Sequence, residues 1–444
     1  MNTDKSEKDG SDIVAKILFA FSLGFLVFAY GYFAHKFQLF PHGFLENAAQ
    51  GMSKVGREVT DQRSWLYKPT QVTEKVAKYD ASRAHNALSM TTSVGEDNKM
   101  YVRIIDMKGN TVHEWKISWG EVWPNATHIP QSEVPKEDPG THIHGAVIMG
   151  NGDVVFNFEH LGLVRLNPCG DVVWRLPYRT HHSIFQDDVG DLWVSGQINH
   201  DDADPSIPNY KGAFIEPTLL KVSPQGKILL EKSVIELLQE NNLHSLLYMT
   251  AEDDIFMSTG GDTLHLNDVE VFPTDMNEGL FKYGDVMVSL RNINAILVFD
   301  PTTWKVRYKS IGAFLRQHDP DFIDGNTISI YDNNSIAQQG GRHSRILLEA
   351  VDSQRTTSHF TGSKEKPFFS AIMGKHQWLP NGNLLITDSL AARAFELDRQ
   401  GDIVWDYTNT LGDGYAGIVE EVTRLPLSYD AEFFSRSRKA CSGS

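Results

Sequence analysis

The chain holds 17 histidines, and several recur at one place, the start of an apolar segment that runs into a glycine turn. The pattern reads HIHGAVIMGNGD from His142, HHSIFQDDVGD from His181, HLNDVEVF from His265, QHDPDFIDGN from Gln317 and KHQWLPNGN from Lys375. A neutral imidazole can attack an electrophilic centre and carry it covalently, and a second imidazole can move a proton near neutral pH. Arg291 in SLRN, and Arg342 and Arg345 in GGRHSR, add planar donor forks that suit a tetrahedral oxyanion such as a sulfuryl or phosphoryl group. One histidine alone is usually a hydrogen-bonded structural residue, and one arginine alone is usually an ion pair. Repetition at one strand end is what points to group transfer.

Other chemistries lack their signatures. There is no GxxxxGK[ST] loop, no GxGxxG after an opening strand and no HExxH, so a nucleotide donor and zincin proteolysis are not indicated. His142 with His144, or His181 with His182, joined by Asp201 or Asp202, form a set that could ligate a transition metal. Group transfer by imidazoles requires no metal and no cofactor. Asn125 and Asn333 match the glycosylation acceptor pattern.

The elements that must position these residues repeat. Five turn-centred copies, DMKGNTVHEW, NPCGDVVW, SPQGKILL, DPTTWKVRY and DRQGDIVW, each join strand to strand, most ending in an aromatic. A second strand–turn–strand segment precedes most of them, so each unit holds about four strands in roughly 50 residues, the size of a propeller blade. Units beginning near Lys99, His142, His181, His265, His318 and His376 predict an all-β, six-bladed β-propeller over 91–435. In that fold the first strand of each blade lines the axis, and equivalent strand ends converge on one mouth. Residues 37–90 read as a stalk, with helical tendency between Glu46 and Lys78. The stretch Val234–Asn242 reads as a helix inserted between blades, and the loops His200–Tyr210 and Asn333–Arg342 as functional inserts.

Composition sets the surroundings. With 41 Lys and Arg against 57 Asp and Glu, the net charge of −16 repels nucleic acid. Cys169 and Cys441, the only cysteines, lie far apart and read as separate thiols ahead of a single bridge between them. Ile13 to Ala34 is apolar except for Lys16, which predicts a single transmembrane anchor over 13–36 behind a cytoplasmic tail over 1–12. A cleaved signal fits less well, since His35, Lys36 and Phe37 follow where a small-residue cleavage site would stand. Lys5, Lys8 and Lys16 against Lys36 put the N-terminus in the cytoplasm and the rest in the periplasm or outside the cell.

From Ser89 to Tyr407 the chain resembles the arylsulfotransferase family, six-bladed periplasmic propellers that act without the nucleotide sulfate donor. The resemblance rests on IIDMKGNTVHEW, HGAVIMGNGDVVF, HLNDVEVF followed by SLRN, QHDPDFIDGNTISIYDNN with HSR behind it, and HQWLPNGNLLITDS. It implies transfer of a sulfuryl group from an aryl sulfate to a phenol through a sulfated histidine. Carried over by motif, His376 is the nucleophile, His265 and His318 support it, and one of Arg342 and Arg345 clamps the sulfuryl oxygens. Arg291, His144 and His182 fall to substrate binding. Two rival readings use the same scaffold: a non-catalytic membrane-held propeller that docks proteins, and a metal-dependent hydrolase or lactonase-like propeller.

Overall fold

The structure, a computed structural model, describes residues 4–36, 65–205, 207, 210, 213–249, 261–335 and 342–441. It comprises two compact units, 1–65 and 66–444. In the first, Asp4–Lys36 is one helix, and its stretch Val14–Phe33 is long and apolar enough to cross a membrane. Phe19, Phe21 and Phe28 stand more than two-thirds exposed on it, a surface that hydrocarbon would cover.

The second unit is a six-bladed propeller. Blades 2 to 5 are sheets of four consecutive strands, running Ile143–Leu176, Thr180–Ser233, Leu266–Ile311 and His318–Thr361. Blade 6, Lys375–Thr408, gains Val76–Tyr79 as a fifth, outermost strand, and Tyr67–Pro69 pairs with Tyr415–Gly417. These two segments, which the sequence assigns to a stalk with helical tendency, are therefore strands; residues 46–64 lie outside the described residues. The helix read between Val234 and Asn242 is present as Val234–Glu240.

Burial explains the strand patterns. Middle strands such as Ala295–Phe299 and Leu384–Asp388 are buried at every position, because neighbouring blades cover both faces, and they read as continuous apolar runs. The outermost strand Thr111–Ile117 alternates, with His113, Trp115 and Ile117 inward. The recurring aromatic at its end has a specific partner. Trp115 donates Nε1–H to the Asn167 carbonyl in the turn of blade 2 at 2.8 Å, and Trp174 donates to the Pro224 carbonyl in the turn of blade 3 at 2.9 Å. Trp405 of blade 6 donates to the Met107 carbonyl of blade 1 at 2.9 Å. In blades 1, 2 and 6 one Trp thus grips the next blade's hairpin.

Blade 1 is completed from the far end of the chain. Val419–Arg424 pairs with Ser89–Val94 as its innermost strand, from Val419 opposite Ser93 to Arg424 opposite Ser89. The innermost strands then contact one another in a closed ring. Arg424 locks this junction: it pairs with Glu396 of blade 6 at 2.9 Å, both side chains fully buried, and donates to Ser89 Oγ at 2.7 Å. Beyond it, helix Ala431–Cys441 returns to blade 1, where Phe434 stacks on His113. Cys169, read from sequence as a separate thiol, is disulfide-bonded, and Cys441 is the chain's other cysteine. Sequence separation was the wrong measure, because the returning helix Ala431–Cys441 runs past blade 2, where the Arg438 carbonyl lies 3.5 Å from Cys169 Sγ.

Removing Glu396 strands a buried guanidinium, so Glu396→Ala should lower stability by about 3–5 kcal/mol in thermal or urea unfolding. Cys169→Ser should cost about 2–4 kcal/mol. A melting curve unchanged in either variant would contradict the closure described.

Candidate active site

Five of the six innermost strands begin irregularly. Register shifts fall between Ile143 and Ala146, His181 and Ile184, Leu266 and Asp268, His318 and Asp321, and Val419 and Glu421. His182 and His265 adopt left-handed backbone conformations, φ 58° and 54°, as does Asp319 at 46°. Such strain, about 1–3 kcal/mol at each residue, persists only where surrounding structure enforces it, and bulges re-aim side chains. Here they turn imidazoles toward the axis.

The result is a cluster at the mouth of the channel. His182 Nε2 lies 3.3 Å from His265 Nε2, and His181 Nδ1 lies 2.7 Å from His182 Nδ1. The His144 ring centroid is 3.9 Å from that of His182, and that of His318 is 6.0 Å from it. His265 Nδ1 bonds the Asp262 carboxylate. His318 is held by Asn333, whose amide nitrogen donates to the carbonyls of Ser370 and Met373. That fixes the amide, so Asn333 Oδ1, 2.7 Å away, accepts from His318 Nδ1–H. The Arg316 carbonyl, 3.2 Å away, also faces Nδ1. The buried Nε2 of His318 therefore carries a lone pair, and among the described residues no hydrogen bond engages it.

Electrostatics keep His181, His182, His265 and His318 neutral. Burial, then repulsion from Arg291, holds His318 well below the usual imidazole range. Burial outweighs Asp262 to push His265 down to about 4. Burial lowers His181 and His182 well below their ordinary value too. Arg291, in the turn after strand Val286–Leu290, is pushed down to about 10 by burial and Arg316, and so stays charged at neutral pH. Its Nε donates to Asn292, and among the described residues no carboxylate lies within ion-pair distance of it. It is a cation whose fork is not closed by an acid.

Beside these rings sits a second group. His142 lies between two carboxylates, bonded through Nε2 to Glu159 and 2.7 Å through Nδ1 from Glu420. Burial would lower His142, but Glu420 and Glu159 outweigh it and raise it well above 6.5. Below, the channel narrows to a cavity of about 10 Å³ lined by His144, His182, His318, Lys375 and Glu420, room for no more than one water. Beneath that a cavity of about 350 Å³ is lined by Asp268, Glu270, Asp319, Asp321, Lys375, His376 and Glu421. Burial raises Glu270 and Asp321 well above the carboxylate range and Asp268 to about 7.

His265, His318, His182, His144 and Arg291 are thus brought together. His376 belongs to the lower cavity. Its side chain is fully buried, Nδ1 lies 3.0 Å from Asp319 and Nε2 lies 2.7 Å from Ser329 Oγ. Its strand has no bulge, and His376 pairs with Ile386 as Ile184 pairs with Val194, one pleat deeper than His182. Counted from the turn glycines Gly382 and Gly190, the sequence itself carries that offset. Arg345 grips Asp332 through Nε at 2.7 Å and through Nη2, and Arg342 is exposed beside the Phe369 ring. Asp201 and Asp202 are exposed beyond the strand ending at His200, so the carboxylates beside His142 and His144 are Glu159 and Glu420 instead. Asn333, bonded to His318 and fully buried, offers no glycosylation acceptor. Asp262, Glu159 and Glu420 escaped sequence reasoning, as did the bond from Asn333 to His318, because an acid or amide outside the repeated histidine position has no motif that ties it to the ring.

The fold and site define a propeller whose axial mouth gathers imidazoles, four of them held neutral, beside the cation of Arg291. Residues 145–410 match the model of the arylsulfotransferase (ASST) family, more than half of the chain, and the chain belongs to that family. No curated protein matches it. Among solved structures it is similar to a protein of unknown function from Bacteroides caccae, with TM-score 0.47 and 12% identity over 76% of this chain and 98% of that one. It is similar to a streptogramin B lyase, with TM-score 0.40 and 10% identity over 82% and 100% of the two chains. A catalytically inactive virginiamycin B lyase from Staphylococcus aureus, solved with quinupristin, has TM-score 0.38 and 11% identity over 77% and 88%.

The tautomer is directly measurable. In ¹⁵N spectra of histidine-labelled protein near pH 7, His318 should show a protonated Nδ1 and an unprotonated Nε2; the opposite tautomer would remove the lone pair from the site.

Proposed function

We propose that the protein moves a sulfuryl group from an aryl sulfate to a phenol, with His318 Nε2 as the nucleophile. The single observation that carries this reading is the free, buried lone pair on His318, held by Asn333 on the far side of the ring. Nε2 attacks sulfur, the S–O bond breaks, and its electron pair leaves on the phenolate. The sulfated ring keeps its Nδ1–H on Asn333. Arg291 receives the sulfuryl oxygens, whose charge a preorganised cation in a dry site stabilises strongly. In the return step the acceptor phenol gives its proton to His265 Nε2, while Asp262 steadies Nδ1–H and stabilises the imidazolium. The phenol oxygen then attacks sulfur, and the S–N pair returns to His318. His182 lines this site, and His144 backs His182.

The motif-based assignment of His376 as nucleophile, with Arg342 or Arg345 as clamp, is less well supported. Both His376 nitrogens have partners, and Arg345 is closed on Asp332. We further propose that Val14–Phe33 anchors the chain and that the propeller stands outside the cytoplasm. Disulfide-bonded Cys169 and the lysines before the apolar stretch support that side.

With a chromogenic aryl sulfate, His318→Ala should abolish transfer and the sulfuryl mass adduct, whereas His376→Ala should retain the adduct. The reverse result would return the nucleophile role to His376. Because a lowered imidazole pKa leaves the base competent until pH falls through that value, the acid limb of the rate profile should lie near pH 4. A limb at the ordinary 6.5 would exclude His265 as the base.

A further inference from the structure

His142 and His144 flank one residue of the same strand end, so their rings share a face. Both aim at one acid: His142 Nε2 bonds Glu159, and His144 Nδ1 lies 3.3 Å from Glu159 Oε1. The three ligating atoms lie within 4.8 Å of one another. The opposite ring nitrogens both face Glu420, His142 Nδ1 at 2.7 Å and His144 Nε2 at 3.9 Å. Glu420 has no exposed side-chain surface, and among the described residues neither of its oxygens accepts a well-directed hydrogen bond. Two imidazoles converging on one carboxylate, with a second carboxylate behind both rings, is how proteins orient histidine ligands toward a metal.

We propose that His142, His144 and Glu159 bind a divalent transition-metal ion at the mouth of the channel, and that Glu420 orients the two imidazoles. The donor set, two nitrogens and a carboxylate, suits zinc and its first-row neighbours over calcium or magnesium. The other grouping of ligating side chains, Asp319, Asp321 and His376, is a poorer host, because the Lys375 ammonium stands 3.0 Å from Asp319 and fills the place of a cation. The site is independent of the sulfuryl-transfer reading, although the His144 ring lies 3.9 Å from that of His182 and sets the ion beside the reacting imidazoles.

The test uses the full chain in detergent, stripped with chelator and titrated with Zn²⁺ by equilibrium dialysis at pH 7.5, with metal content by elemental analysis. One ion per chain should be retained, His144→Ala should lose it, and Glu420→Gln should bind about 10–100-fold more weakly. Wild-type protein that takes up no Zn²⁺, Co²⁺ or Mn²⁺ at micromolar concentration would overturn the proposal, as would His144→Ala with unchanged uptake. If that variant fails to fold, Co²⁺-loaded wild-type protein decides: two contact-shifted imidazole N–H resonances support the site, and their absence sinks it.

Discussion

A propeller is stable only as a closed ring, and here closure depends on a strand contributed from the far end of the chain. Until Val419–Arg424 pairs with Ser89–Val94, blade 1 exposes an unpaired edge and the axis lacks one wall. The buried Arg424–Glu396 pair joins blades 1 and 6 at that seam, and its guanidinium also reaches Ser89. Such a pair adds little net stability over an apolar substitute, but in any other register of the closing strand the buried guanidinium would lose Glu396. Because Glu420 and Glu421 ride on that strand, the register that closes the ring also places two carboxylates at the axis.

The channel sorts charge into two levels. Above, imidazoles kept neutral by burial face Arg291; below, carboxylates crowd one ammonium, and burial leaves several of them protonated. Between the levels lies a cavity of only about 10 Å³, where His144, His182 and His318 meet Asp268, Asp319 and Lys375. Lone pairs on the upper rings are preserved for the same reason that the lower acids hold their protons: both are cheaper in the neutral form where water is excluded. Bulged strand ends and left-handed residues such as His265 supply the aim, and neighbouring blades hold that strain in place.

Particular residues show how far the sequence was readable. The aromatic closing several repeats marked a blade because Trp115, Trp174 and Trp405 each grip the following hairpin, a local pattern repeated by a local cause. His182, His265 and His318 were recognisable as one cluster from their place before the turn, and they do meet. His376 resembled them by motif, yet it enters one pleat deeper on a strand without a bulge. Arg345 looked available beside the histidines, but its partner Asp332 stands opposite it in the pairing of adjacent strands, a neighbour that no linear spacing displays.

What the sequence determined by itself was everything that depends on local order: strand and turn alternation, the number of blades, the apolar helix at the start and the recurring place of the histidines. These follow from side-chain periodicity and turn chemistry, which act over a few residues. Only the tertiary structure decided which imidazole keeps a free nitrogen, which arginine stays open and which acids stand beside His142 and His265. Those outcomes are set by bulges, by burial and by contacts between segments as remote as Ser89 and Arg424, and pairwise proximity across a closed ring has no trace in linear order.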